Sequence, residues 1–466
     1  MAPRGNVLDY LSAIFILGSY RDYKNIVLSA SRLSGPVDEQ ALREAVLRIS
    51  DDFPRLNSMV THTWKKGLFH LLWEPRPDGR PELKTSRMRL SDTSSDAFHE
   101  LIDHLKPRLD RGFDLFNEVG CEFHLIELQP TDHIFVSLSH HSVVDGAEAG
   151  AIQLALFAEY HRLIRGKLPD WGANFAIMTS LRKKTVAERG TRLNEVRMWP
   201  VKLPWVKEHE FGIPVGRGTP ENSDFHCTRR RFSEEETSRI TERLRSSRVR
   251  LVDLAVAGAH LTVGQWNAQR NGEAGPVSTA ITINMRRRSY DWLNPNSIVW
   301  LYFNSTAEQR KDPAAFLREL RRERVARYRS NAHLKFQKFL SMVCAGGSLF
   351  PLAGKIKLAR FLMERLKWWS SAMQIHDLGI IAPQVVNGRP TGDSEVLRVG
   401  DLENTDAFGF GYKLQLPTPL HLWLFTYRRR LNITLGAWGW NFNRTDAEEF
   451  TDQLAERLLN FPPRSG

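Results

Sequence analysis

The sequence predicts an α/β protein organised as two halves, and three observations carry that expectation. Strand-like runs are interleaved with runs whose apolar positions recur at helical spacing, the pattern of sheets covered by helices. A long, proline-bearing connection over residues 166–224 separates an N-terminal unit (1–165) from a C-terminal unit (225–466). The chain has 466 residues, 42% hydrophobic and 25% charged, enough for a large core in two or three domains.

In the N-terminal unit, residues 37–49 read as a helix, with Asp38 as N-cap and Leu42, Ala45, Val46 and Ile49 turned inward. Residues 68–73 and 119–128 read as strands. So does 132–139, where Ile134, Val136 and Leu138 share a face. A helix follows at 147–165, with Ile152, Leu156, Tyr160 and Ile164 on one side. The connection 166–224 holds Trp171, Trp199 and Trp205, so it reads as a crossover rather than a disordered linker. The C-terminal unit opens with a strand at 225–232, helices at 233–247 and 251–267, and a β-branched strand at 276–284. A basic helix at 313–329 offers Phe316, Leu320, Val325 and Tyr328 to the core. Strands at 420–427 and 431–438 and a helix at 446–459 close the chain, and no repeat at solenoid spacing is present.

The formal net charge of +12 suits nucleic acid, acidic lipid or an acidic substrate carrier, and is equally the mark of a plain solvated surface. The sequence has no recognition-helix, RNA-binding or zinc-finger pattern, so no nucleic-acid partner is expected. Cys121, Cys227 and Cys344 are odd in number, far apart and without CxxC spacing. The expectation is reduced thiols in a cytoplasmic protein. Residues 7–20 are broken by Asp9 and Tyr10 and lack a small-residue cleavage site, so they do not read as a signal peptide. The apolar run 339–354 is interrupted by Gly346, Gly347 and Pro351 and is too short to span a bilayer. Residues 355–369 are basic and amphipathic, with Leu358, Phe361, Leu362, Leu366, Trp368 and Trp369. The favoured reading is a core helix with a basic outer face; the alternative is a peripheral membrane contact.

The densest chemistry is His140-His141-Ser142-Val143-Val144-Asp145-Gly146, between the strand at 132–139 and the helix at 147–165. A neutral imidazole takes and returns a proton near neutral pH, and a strand end holds it rigidly at a cleft. Adjacent strand residues point to opposite faces, so the two histidines do not share a metal ion. No second ligand cluster stands in the sequence, and no metal is expected. Two buried, hydrogen-bonded structural histidines are the plainer alternative. Asp145 either orients an imidazole or holds the loop, and spacing alone does not decide. Gly146 lets the chain turn tightly before the helix.

This strand–HHxxxDG–helix arrangement resembles the motif of the chloramphenicol acetyltransferase-like superfamily. That superfamily includes peptide-synthetase condensation domains, alcohol acyltransferases, polyketide-associated acyltransferases and wax ester synthases. Further segments resemble it in order along the chain. They are residues 41–57 with Phe53-Pro54-Arg55-Leu56, Phe113-Asp114-Leu115, Ile283-Asn284-Met285-Arg286, Asp377-Leu378-Gly379, and 420–459. The resemblance implies a V-shaped pair of subdomains, each a mixed sheet flanked by helices, with an active-site tunnel between them. It implies that His141 is a general base, taking a proton from an acceptor hydroxyl or amine that attacks a thioester carbonyl, with no acyl-enzyme. His140, Asp145 and Gly146 are then structural, with Asp145 salt-bridged to an arginine, Arg286 being the best match. Asn284, Asp377 and Gly379 fall in the tunnel and oxyanion region. The sequence also departs from the family. Asn57 stands where the family often has arginine, and the DFGWG signature is absent, Ala407-Phe408-Gly409-Phe410-Gly411 being either a loose echo of it or a plain glycine-aromatic loop. Asp377 takes a Ser/Asn position, which removes the usual side-chain donor to an oxyanion.

The expected function is an acyltransferase condensing an acyl thioester with a small-molecule alcohol or amine, giving an ester or amide in secondary-metabolite or lipid biosynthesis. No permanently bound cofactor is implied. The thioester arrives as acyl-CoA or on a separate phosphopantetheinyl carrier protein. Both are acidic, and Arg318, Arg321, Arg322, Arg324 and Arg327 offer either a basic surface to them or an ordinary solvated helix face. The apolar stretch 339–369 points to a long acyl group, and the expected state is a monomer. Two alternatives stand beside this: a non-catalytic scaffold that binds a carrier protein, and a diverted reaction such as cyclisation or epimerisation of a tethered intermediate.

Overall fold

A computed structural model describes residues 6–8, 10–19, 22–65, 67–76, 78–90, 94–169, 212–271, 275–284, 298–364, 371–381, 383–386, 389–394, 397–414 and 418–461. In chain order the first half contains β1 (Asn6–Val7), α1 (Tyr10–Gly18), β2 (Ile26–Ser34), α2 (Glu39–Asp52), β3 (Ser58–Lys65), β4 (Leu68–Pro75), β5 (Leu83–Arg87), α3 (Ser94–Arg111), β6 (Cys121–Gln129), β7 (Asp132–His140) and α4 (Gly146–Arg165). The second begins with β8 (Phe225–Arg231), α5 (Glu234–Ser247), α6 (Leu251–Asn271), β9 (Val277–Asn284), β10 (Ile298–Ser305), α7 (Pro313–Arg329), α8 (Ala332–Gly347) and α9 (Leu352–Glu364). It ends with β11 (Met373–Ile380), β12 (Pro383–Val386), β13 (Arg389–Ser394), β14 (Arg398–Val399), β15 (Leu402–Tyr412), β16 (Leu420–Tyr427), β17 (Arg430–Trp438) and α10 (Arg444–Asn460).

Local chemistry explains the helix starts. The Asp38 side chain accepts from the Ala41 amide and opens α2, while Ser233 and Glu236 form a reciprocal capping box on α5. Two six-stranded sheets result, in the orders β14-β15-β2-β7-β6-β5 and β10-β9-β11-β16-β17-β8. Both are mixed: β5 runs parallel to β6, and β11 runs parallel to β9 and β16.

The division at residue 225 does not separate the sheets. β14 and β15 come from the second half of the chain but extend the first sheet, with Phe408 opposite Ala30 and Phe410 opposite Leu28 on β2. An apolar cluster is shared across the two sheets. Leu28, Val136 and Leu138 meet Phe408 and Phe410 of β15 and Trp423 and Phe425 of β16 there. Arg229 on β8 clasps Asp406 on β15 with two bonds of 2.8 and 2.9 Å, and also donates to Asn432 at 2.7 Å. Burial pushes the Asp406 carboxyl up, but the Arg229 charge and hydrogen bond outweigh it and hold the group below its ordinary value.

Three expectations change. Arg324 is not part of a basic surface: it is buried and bonds both oxygens of Asp253, at 2.5 and 2.9 Å. A guanidinium this enclosed needs that carboxylate, which α6 supplies. The amphipathic stretch 355–369 is helical as α9 to Glu364; Trp368 and Trp369 lie outside the described residues, as do 170–211 of the crossover. Strands β1, β2, β3, β5 and β10 to β15, and helices α1, α3 and α8, are additional to those the sequence pattern predicts. No disulfide joins the three cysteines; Cys121 and Cys227 are buried and Cys344 is half-buried. Among the described residues no helix is long and apolar enough to cross a membrane.

Replacing Arg229 with Met leaves Asp406 with the longer 3.7 Å contact to Arg231 and the Ala407 amide at 3.0 Å. We expect a loss of about 3 kcal/mol in urea unfolding, the usual cost of stranding one partner of a buried pair. Unchanged unfolding would mean that the clasp does not hold the sheets together.

Candidate active site

The site is built around the end of β7, and α1 closes over it. The Ser12 hydroxyl of α1 donates to the Ser142 carbonyl at 2.9 Å. One turn on, the Phe15 ring lies over the His141 ring, with centroids 4.0 Å apart and planes 19° from parallel. The Ser19 hydroxyl donates to the Phe15 carbonyl at 2.8 Å and accepts from the Asn25 amide group at 2.8 Å. His140 joins this knot through Nε2, 2.8 Å from Ser19 Oγ. Its Nδ1 accepts from the Ser142 backbone N–H at 3.1 Å, which leaves the ring proton on Nε2 to be donated to Ser19. Burial, then the neighbouring His141, push the His140 imidazole down to about 3, so it is held neutral. Asn25 starts β2 at φ +49°, a left-handed conformation that asparagine tolerates, and its carbonyl accepts the His141 backbone N–H at 2.6 Å.

Beyond the histidines, Asp145 caps α4. Its Oδ1 accepts the Ala147 and Glu148 amides at 3.1 and 3.0 Å. Arg286 lies outside the described residues, so its pairing with Asp145 does too. Gly146 does not occupy the positive-φ region. A Cβ there would come 3.3 Å from Leu378 Cδ2, so the glycine permits close approach of β11 from the second half, in place of the tight turn the sequence suggests. Gly120, just before β6, is tighter: a Cβ there would meet Leu115 and Val143 side-chain atoms at 2.5 and 2.6 Å. Arg55 reaches the same loop, donating to the Val143 carbonyl at 2.7 Å and pairing with Glu148.

A cavity of about 380 Å³ opens between the two sheets, walled by β2, α4, β9, β11 and β15. His141, Asp145, Gly146, Asn284 and Asp377 line it, whereas His140 and Gly379 do not. Gly379 sits at φ +73° in an irregularity of β11, where its amide donates to Asp377 Oδ1 at 3.0 Å. Enclosure by protein raises the Asp377 carboxyl, with the Gly379 amide and the Arg250 charge pulling the other way. Its side chain is nevertheless accessible from the cavity.

Sequence reading misses His376, which also lines this cavity. Its ring stacks on Trp423 at 5.1 Å and stands 3.1 Å from Thr282 Oγ1 through Nδ1. Gln374 donates to that same hydroxyl at 3.3 Å. Burial, then His421 and His141, hold this ring well below the ordinary histidine value. The available signal was its position directly before Asp377-Leu378-Gly379. Among the described residues no group of three or more His, Cys, Asp or Glu could hold a metal ion.

No family model matches the chain, and no curated protein matches it. Solved structures do. The first condensation domain of the calcium-dependent antibiotic synthetase, in complex with a substrate analogue, superposes with a TM-score of 0.68 at 14% identity, over 98% of this chain and 97% of that one. TRI3 trichothecene 15-O-acetyltransferase from Fusarium sporotrichioides gives 0.64 at 12%, over 98% and 95%. The epimerization domain from the third module of tyrocidine synthetase B gives 0.60 at 15%, over 98% and 96%. The chain therefore has the fold shared by condensation domains and chloramphenicol acetyltransferase-like acyltransferases.

Three histidines set a pH dependence. His140, His260 and His421 are each pushed down to about 3, burial being the largest cause in every case. A folded value below the unfolded one gives stability that is full above about pH 6.5 and lost as pH falls toward 3. Each contributes a slope of up to about 1.4 kcal/mol per pH unit in that window. The melting temperature should fall steadily from about pH 6.5 to 4; a level profile would contradict the buried neutral rings.

Proposed function

We propose that this chain is an acyltransferase that condenses an acyl thioester with a hydroxyl or amine, using His141 as general base. The observation that carries the reading is the setting of His141. Its backbone is pinned to Asn25, its ring is stacked on Phe15, and it lines a cavity between the two sheets of this fold.

The reaction follows from that setting. An acceptor O–H or N–H gives its proton to the imidazole as its lone pair attacks the thioester carbonyl carbon. The C–S bond then breaks, and the leaving sulfur takes the proton back from the imidazolium. His140 and Asp145 hold the corner: one ties the loop to α1, the other starts α4. Arg286 remains the proposed partner of Asp145. Asn284 and Asp377 face the substrates from the second half. The donor is acyl-CoA or a phosphopantetheinyl carrier protein, with no resident cofactor, and the acceptor is a small alcohol or amine. Enclosure between the sheets limits competing hydrolysis. The first turns of α4 line the cavity with small residues, Gly146, Ala147, Gly150 and Ala151, which leave room for an acyl chain, before the larger Gln153, Leu154 and Phe157.

Purified protein should be offered acyl-CoA and acyl-carrier donors with alcohol and amine acceptors, and the products read by mass spectrometry. Aminoacyl-carrier thioesters belong in the panel, so that inversion without transfer would reveal a diverted reaction. His141→Ala should lower kcat/KM about 10²- to 10⁴-fold, the usual contribution of a general base. Full turnover by His141→Ala would defeat the mechanism, and absence of transfer to any acceptor would defeat the reading. A Cβ at Gly150 meets nothing within 4 Å, so Gly150→Leu should fold and project into the cavity. It should lower kcat/KM for eight-carbon donors at least tenfold relative to acetyl donors; an unchanged ratio would place the acyl chain elsewhere.

A further inference from the structure

A second cavity, of about 220 Å³, lies against the opposite face of α1. Ala13, Ile14 and Leu17 line it, while Phe15, on the other side of the helix, covers His141. The remaining walls come from β4, α8 and α9 and are mostly apolar, with Phe69, Val343 and Leu358 among them. The turn after α8 is fastened to β4 by a bond from the Phe69 amide to the Ser348 carbonyl, at 2.9 Å.

One lining residue does not fit an apolar pocket. Lys355 is 8% exposed, and its ammonium donates to the Phe69 carbonyl at 2.6 Å. An ammonium carries three N–H groups, and no carboxylate pairs with this one among the described residues. A buried cation whose partner is a backbone carbonyl is costly, and an anion beside Lys355 would offset that cost. Burial accordingly lowers the Lys355 pKa. The surroundings are equally apolar. Seven large apolar side chains are exposed among the described residues; none lines the cavity itself, but four are carried by α8, α9 and the turn between them, and a fifth packs on the lining residue Phe69. Met342, Leu349, Phe350 and Phe361 belong to α8, α9 and the turn between them, and Trp64 packs on Phe69 at 4.3 Å.

We propose that this cavity binds a medium-chain alkyl carboxylate, with the chain between α1, α8 and α9 and the carboxylate on Lys355. A cavity of this size suits a medium-length chain, and octanoate serves as its probe. The site is separate from the cavity at His141 and does not depend on the acyl-transfer reading.

Cys344 lines the cavity and provides the readout, because Cys121 and Cys227 are fully buried. Modification of native protein by 4,4′-dithiodipyridine should show one reactive thiol, lost in Cys344→Ser. Saturating octanoate should slow that reaction at least fivefold, acetate should not, and 1-octanol should protect several-fold less well than octanoate. Lys355→Met should abolish the preference for octanoate over octanol, and Leu358→Trp, which fills the space, should abolish protection by both. Octanoate that leaves the rate unchanged, or octanol that protects equally in the native protein, overturns the proposal. The native-protein comparison decides even where a variant fails to fold, and it needs no turnover.

Discussion

His140 uses both ring nitrogens to join two stretches of chain that are remote in sequence, residues 19–25 and 140–142. Nε2 reaches the residue after α1, Nδ1 holds the loop that leads into α4, and Asn25 at the start of β2 completes the knot. The arrangement works only with a neutral ring, because one nitrogen must donate while the other accepts. His141 inherits its position from this knot. Its amide is bound by Asn25, and its ring is covered by a phenylalanine whose carbonyl is itself fixed by Ser19 and Asn25. The cavity wall, the cap on α4 and the approach of β11 to Gly146 all follow from where this corner is held.

What was legible in the sequence is what is local. The alternation of β7, the cap at Asp38, and the strand-to-helix corner at His140–Gly146 are each decided within a few residues. The alternation of β2 is lost because it lies between two strands and is buried on both faces along most of its length. Gly146 has the appearance of a turn residue until Leu378 arrives from the other half. Arg324 has the appearance of surface charge until Asp253 arrives from α6. His376 gains its meaning only from Thr282 on β9 and Trp423 on β16. In each case the partner is supplied by the tertiary fold, and no spacing rule within one segment announces it.

The exchange of β14 and β15 into the first sheet has a consequence for how the chain reaches its native state. β2 pairs with a strand that follows it by some 375 residues, so the loop closed by that pairing takes in almost the entire polypeptide. Contacts of such high order form slowly, because the entropy of closing the loop is lost before any pairing compensates it. Until β15 arrives, β2 presents an unpaired edge and the shared apolar cluster stands open, a surface prone to pair with other chains. The N-terminal half is therefore not an autonomous folding unit. During synthesis its sheet stays incomplete until the chain through β15 has left the ribosome.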